Sequence, residues 1–561
     1  MLLLLATIHS TELRLRTSRL FGRLGLASST PTQPPGGSEY LLEFRGSQPL
    51  LRLQEFYDAL NYCTGERNRW DTYSAAAASP TGQRSSSGSR SVVRDRTSDV
   101  PICTYVTIPG GDSVVRQLVQ RCSLVRSVVE CWADAATADE ASRQAYANSL
   151  IFNKDGALVR PEDSWRVSFR RYGRGGKSGL DYDEKNQFLS KFADTIAAFR
   201  GGVNLTAPTQ DFLYLEDNFD YHDKVTIVSA KRGFPKGSQG FSAIEAEYKP
   251  LRALFGRVVA TSDEYIGELY NVKTRKFIGT TTMDPIVAHC TAVAAMVGPG
   301  DLVLDPFVGT GGLLVACASL GALVVGSDID GGSLMNQRAL DSLVAGAGLG
   351  RENINVKLLS SGGLGLGSGD TVASRETSKN SNFNRRNSSQ SQSDLCVFDN
   401  FVDYGLEHSV MGLHELDVRA WGRGAASDVA ARYDLFDAIV TDPPYGHREK
   451  ARQADGSGSG AAGAKVQLNT YTKRSSDDTT DEVYVSLLQV AERRLKVGGR
   501  LVFWLPTEPQ TSLEDVTALL QQLMVAAGSQ AARTLRLRRA AREELNDALW
   551  RWLCIYTKDI E

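Results

Sequence analysis

The chain has no Cys-x-x-Cys pair, no apolar run long enough to cross a bilayer and almost no net charge. Its eight cysteines are scattered, and six histidines in 561 residues form no cluster at metal-ligand spacing. A disulfide framework and a zinc site are therefore not expected, and reduced, buried thiols of an intracellular protein are. Lys+Arg 63 against Asp+Glu 65 leaves a formal charge of -2, so contact with a polyanion must come from local basic patches. Length and a 42% hydrophobic content call for more than one core.

Low-complexity stretches divide the rest. Residues 28–38, 74–91, 360–393 and 454–465 are rich in Gly and Ser and poor in bulky apolar residues, and are read as surface insertions. The first 39 residues open on "MLLLLA" and, up to residue 30, carry Arg14, Arg16, Arg19 and Arg23 against Glu12 alone. They read either as an organelle transit peptide or as an untargeted extension of a cytoplasmic protein. Residues 40–230 mix short apolar runs with helix-like stretches such as "SVVRQLVQRCSLVRSVVECW", which predicts an α+β region. Residues 231–270 are read as a connecting segment and 271–561 as a second, doubly wound α/β domain.

The chemistry-bearing motifs lie in the second region. "DLVLDPFVGTGGLLVACASLGALVVGSDID" reads as strand, glycine turn, helix and strand. Asp305 opens the turn, Phe307 follows, and Gly309 and Gly311 let the backbone approach a ligand. The dinucleotide fingerprint fails, because its third glycine is missing and an acid stands where a pyrophosphate would lie. An acid there suits a ligand with a positive amino group. Asp328 and Asp330 at the end of the next strand can accept ribose hydroxyls, so the pair of motifs describes a nucleoside pocket of the kind that S-adenosylmethionine fills. Asp417, after "VMGLHEL", is either a capping residue or a third acid of that pocket.

"FDAIVTDPPYGHRE" places Asp442, Pro443, Pro444 and Tyr445 beyond another apolar strand. The prolines carry no N–H, so this turn presents acceptors only, as a donor-rich exocyclic amino group requires. Asp442 can take up charge as the proton leaves, and Tyr445 offers a face for a flipped-out base. The structural alternative is a rigid turn. In the first region "RPEDSWRVSFRRYGRGGKSG" interleaves Arg166, Arg170, Arg171, Arg174 and Lys177 with aromatics, as either an RNA-gripping surface or a solvated strand face would. Its "GRGGKS" is not a phosphate-binding loop, because Arg171 occupies the first glycine position. The arginines from 533 to 542 read as a solvated face.

Together "KFIGTTTMDPIVAHC", "DLVLDPFVGTGG", "VVGSDID", "DNFVDYGLEHSVMGLHELDV", "FDAIVTDPPYGHREKAR" and "LKVGGRLVFWLP" resemble the eukaryotic tRNA guanosine-10 N2-methyltransferase catalytic subunits. "YLLEFRGSQPLLRLQEFYDAL" and "GGVNLTAPTQDFLYLED" are similar to that family's N-terminal and THUMP regions, so the likeness covers most of 40–510. The resemblance implies a Rossmann-like class I methyltransferase domain behind a THUMP-containing region, S-adenosylmethionine as donor and tRNA as substrate. It implies that Asp305, Phe307, Gly309 and Gly311 meet the methionine part of the donor, with Thr281, Thr282 and Met283 closing the pocket. Asp328 would hold the ribose, Asp417 the adenine amino group, and Asp442 to Tyr445 the guanine. It also implies a small zinc-binding activator protein as partner. Competing readings are an amino-methyltransferase acting on ribosomal guanine or DNA adenine, and a catalytically silent RNA-binding scaffold.

Overall fold

The computed structural model describes residues 38–45, 48, 50–65, 102–152, 159–173, 180–218, 252–262, 265–279, 282–334, 395–422, 429–445, 479–546 and 549–560. Residues 1–37 of the N-terminal extension, residues 360–393 and 454–465, Arg174, Lys177 and Thr281 lie outside the described residues. The chain divides into two units, Met1–Asp263 and Glu264–Glu561.

The first unit is built on a seven-stranded sheet of order β2-β1-β3-β7-β6-β4-β5. Its strands are β1 Ser38–Phe44, β2 Cys103–Ile108, β3 Val125–Ala135, β4 Ser164–Gly173, β5 Gly202–Val203, β6 Gln210–Asn218 and β7 Arg252–Thr261. Two expectations are corrected here. The long helix-like stretch is a helix only over Gly111–Arg121 and becomes β3 from Val125. The buried Glu55 carboxylate stops it by accepting from the Ser123 amide at 2.7 Å, the Ser123 hydroxyl at 2.5 Å and the Leu124 amide at 2.8 Å. Beyond it, β-branched Val125, Val128 and Val129 favour a strand.

The residues read as a connector contain β7, which lies between β3 and β6 in mid-sheet. Gly256 marks why this segment is hard to recognise. It interrupts the apolar pattern because a β-carbon there would sit 2.2 Å from the Glu130 carbonyl oxygen of β3. One face of the sheet packs an aromatic cluster that includes Trp132, Phe188, Phe192, Phe212, Tyr214 and Phe255.

The second unit carries the order β10-β9-β8-β11-β12-β14-β13. Its strands are β8 Leu302–Asp305, β9 Leu323–Asp328, β10 Val410–Glu415, β11 Phe436–Thr441, β12 Leu495–Thr507, β13 Leu535–Asn546 and β14 Leu549–Lys558. β8 to β12 pair in parallel, whereas β14 pairs antiparallel with both β12 and β13. The C-terminal segment "LRLRRAAREELNDALWRWLCIYTK" thus forms a hairpin, with β14 inside the sheet and β13 at its edge. Both β9 and β11 flank β8, so the strand order reverses beside β8, where open α/β sheets bind ligands at the carboxyl ends of their strands. Strongly apolar helices, Pro285–Ala294 and Gly312–Ser319, are buried along their length, as parallel sheets covered on both faces require. No helix among the described residues is long and apolar enough to cross a membrane.

Candidate active site

The reversal point brings Asp305 and Asp442 to neighbouring strand ends. Asp305 is 1% exposed, and its Oδ1 accepts from the Thr441 hydroxyl at 2.6 Å and the Phe307 amide at 3.0 Å. This carboxylate ties the glycine turn after β8 to the last residue of β11. Burial pushes its pKa up to about 7 against the lowering effect of those two donors, with the nearby Asp328 and Asp442 charges adding to the rise. Asp305 is a buried tie beneath the turn.

The turn itself is shaped for close approach. Gly309 and Gly311 have φ of 51° and 80°, a region that side chains other than glycine's rarely adopt. At Gly311 a β-carbon would also meet Val397 Cγ1 at 2.6 Å, whereas above Gly309 there is open space. The Gly309 amide donates to Asp328 Oδ2 at 2.9 Å, and the Asp330 amide to Asp328 Oδ1 at 3.2 Å, so the acid at the end of β9 is aimed across the mouth of the turn. Phe307 is half-buried against the core of the sheet. Asp417, two residues beyond β10, is clasped by Arg419 through Nε at 2.9 Å and Nη2 at 2.7 Å, and accepts from the Arg419 amide at 2.9 Å. These contacts are those of its capping reading.

Upstream, the Thr282 hydroxyl closes a small loop by accepting from the Gly279 amide at 2.9 Å, and Met283 is buried. Asp284 caps the following helix, its Oδ1 accepting from the amides of Ile286 at 2.9 Å and Val287 at 3.3 Å, with Pro285 in the first turn.

The Asp442 turn is held from behind by a residue that the sequence reading did not single out. Tyr445 donates its hydroxyl to Asp442 Oδ1 at 2.5 Å. Arg551, near the start of β14, lies 3.3 Å from Asp442 Oδ2 and 3.2 Å from the Tyr445 hydroxyl through Nη1. Its Nε reaches Glu543 of β13 at 2.6 Å, and its guanidinium lies 4.2 Å from the centroid of the Trp504 ring. Arg551 and Glu543 are each 6% exposed. Burial alone would lower the Arg551 pKa, but the oxygens of Tyr445, Asp442 and Glu543 hold it above its usual value. Burial, then the Asp442 charge, push the Tyr445 hydroxyl well above the usual phenol range, so it stays a donor. The available signal was an Arg between two tryptophans in the apolar strand "LWRWLCIY", a charge with no reason to lie inside a sheet unless paired.

The arginines of β4 are drawn into their own sheet. Arg166 pairs with Asp211 at 2.7 Å, Arg171 with Glu216 at 2.7 Å and Glu184 at 2.8 Å, and Arg170 with the buried Glu43. Much of the positive charge that the sequence offers to a polyanion here is met by carboxylates.

A donor of the S-adenosylmethionine class fits what is present. The glycine turn leaves space above Gly309, Asp328 ends the next strand where a ribose would lie, and an acceptor-only turn stands across the reversal point. The chain is 27% identical over 409 residues to the tRNA (guanine(10)-N(2))-methyltransferase TRMT11 of Gallus gallus, covering 72% of this chain and 71% of that protein. It is 27% identical to the Homo sapiens protein of the same name over 416 residues, 73% and 72% of the two chains, and 25% identical to the Dictyostelium discoideum one over 426 residues, 73% and 66%. The chain is a homologue of these tRNA methyltransferases. No family model matches it. Among solved structures it is similar to TrmN from Thermus thermophilus, at 14% identity and a TM-score of 0.34, covering 93% of this chain and 100% of that one. A methyltransferase from Pyrococcus furiosus matches at 11% identity and a TM-score of 0.26, covering 53% and 95%.

Two outcomes follow for this tRNA methyltransferase homologue. Arg551→Met strands the buried Glu543 charge and is expected to cost about 3 to 5 kcal/mol in urea denaturation. Adding Glu543→Gln should recover at least half of that, and a double variant as unstable as the single one would contradict the pairing. Asp305 has a folded pKa raised above the unfolded value of about 3.9. Its contribution to stability is therefore complete below that value and lost as pH rises through about 7. The melting temperature of Asp305→Asn minus that of the parent should grow from pH 4 to beyond pH 7, and a flat difference would refute the raised pKa.

Proposed function

We propose that the chain transfers a methyl group from S-adenosylmethionine to the exocyclic N2 of a guanosine in tRNA, position 10 by analogy with its relatives. The observation that carries this reading is the Asp442–Tyr445 turn, fixed by Arg551 at the reversal point beside a glycine turn built for a nucleoside. Similarity to the tRNA methyltransferases over about three quarters of the chain supports guanosine in tRNA over adenine in DNA.

The donor, when bound, supplies an electrophilic methyl on a sulfonium. The turn's task is to present the amino nitrogen to it. The Asp442 carboxylate accepts an N–H of the guanine amino group, and the carbonyls of the proline pair offer the remaining acceptors. As the nitrogen becomes positive, the adjacent carboxylate stabilises that charge, and its oxygen is placed to receive the proton. Arg551 keeps Asp442 from turning away, while Tyr445 presents its half-buried ring to the base. The first unit is read as the THUMP-containing, RNA-binding part, in which the half-buried β4 arginines would add to a tRNA-facing surface. A small zinc-binding activator protein is the proposed partner of the second unit, whose β10 ends the sheet order and so offers a strand edge. Residence in the cytoplasm belongs to the same proposal.

The test is methyl transfer to unmodified tRNA by the full chain co-expressed with such an activator, with nucleoside mass spectrometry of the product. The parent should yield N2-methylguanosine at a single tRNA position, and Asp442→Ala should reduce the rate roughly 100- to 1000-fold. Label appearing in adenine, or an Asp442→Ala protein as fast as its parent, would overturn the assignment.

A further inference from the structure

Arg275 stands outside the site described so far. It is 5% exposed, on the loop that precedes the Pro285–Ala294 helix. Its Nε lies 3.4 Å from the Tyr404 hydroxyl and its Nη2 3.5 Å from the Tyr270 carbonyl oxygen, both long for hydrogen bonds. Nη1 is buried with no partner among the described residues, and no carboxylate there forms an ion pair with this guanidinium. A buried cation without a counter-charge is costly, so an absent anion is the simplest reason for its position.

The direction of that nitrogen is informative. A β-carbon on Gly312 would lie 3.4 Å from Nη1, so the guanidinium rests against the first residue of the Gly312–Ser319 helix, where glycine leaves it room. The N-cap is Gly311, which brings no side chain to accept from the first turn. The opening amides of a helix are unsatisfied from within and favour an anion. The loop is fastened to this spot: Asn400 Oδ1 accepts from the Phe277 amide at 2.9 Å, while Nδ2 donates to the carbonyls of Phe277 at 2.9 Å and Thr310 at 3.3 Å. Two independent elements, a buried unpaired cation and an uncapped helix N-terminus, therefore converge beside the turn where the donor's amino-acid end would lie.

We infer that Arg275 is a binding residue for the methyl donor, its Nη1 and the Gly312 helix N-terminus together holding the donor's carboxylate. This rests on the proposed function only for the identity of the ligand. It adds a charge requirement that the acidic residues of the pocket do not supply. Asp328 suits hydroxyl groups and Asp305 is buried beneath the turn, so the carboxylate end needs a cation of its own.

The experiment is isothermal titration of the full-length chain with S-adenosylmethionine and with decarboxylated S-adenosylmethionine, which differ in this carboxylate. The parent should bind the first roughly tenfold or more tightly than the second. Arg275→Met should bring the two to equal, weak affinity by loosening S-adenosylmethionine alone, and Arg275→Lys should restore part of the preference. A variant that weakens both ligands equally would mean that Arg275 only supports the fold. An unchanged preference would likewise overturn the inference. A parent that binds both donors equally contradicts the carboxylate site while leaving the methyltransferase reading intact, and one that binds neither contradicts both.

Discussion

The buried Arg551 guanidinium is the constraint on which the Asp442 turn depends. To accept an amino N–H, as proposed for Asp442, a carboxylate has to be ionised, correctly turned and still partly open to the substrate. Solvent would satisfy the first demand but not the second. Arg551 satisfies both, because Glu543 and the Trp504 face fix the guanidinium before it meets Asp442 and Tyr445. Such an arrangement is electrostatic preorganisation: the orientation is set during folding rather than at the moment of reaction. Its position also explains the antiparallel end of the sheet. By running opposite to β12, β14 places its first residues, not its last, at the edge where the parallel strands end.

Asp305 performs a comparable task on the other side of the reversal point. Its bond to Thr441 couples the glycine turn to the strand that carries Asp442, so the two halves of the site share one buried carboxylate. Proton affinity and geometry are linked there, since burial raises the pKa of the residue that holds the two turns together.

Much of the second unit was legible in the sequence. The apolar runs ending in Asp305, Asp328 and Thr441 announced buried parallel strands, and the glycine and proline turns announced what followed them. Periodicity does not reveal which charge in a sheet is paired inside it, so Arg551 and Glu543 were passed over beside the arginines from 533 to 542 that read as a solvated face. The Arg551–Asp442 contact joins residues far apart in the chain, and the apolar setting of Arg551 signals that it is paired but not with what. The first unit was less readable. Glu55 ends a helix from a different helix, and Gly256 disguises a central strand as a linker, both through tertiary contacts. The β4 arginines show the same limit, for their acidic partners come from β1, β6 and a separate helix.

What unites the site is the claim that Asp442 and its neighbours grip an exocyclic amino group. The direct measurement is methyl incorporation into two tRNA transcripts that differ at position 10 alone, one with guanosine and one with inosine, which lacks the 2-amino group. Methylation of the guanosine transcript and none above background on inosine is the outcome required by an acceptor-only clamp. Equal methylation of both would show that the methyl goes elsewhere and that the turn at Asp442 does not hold the reacting group.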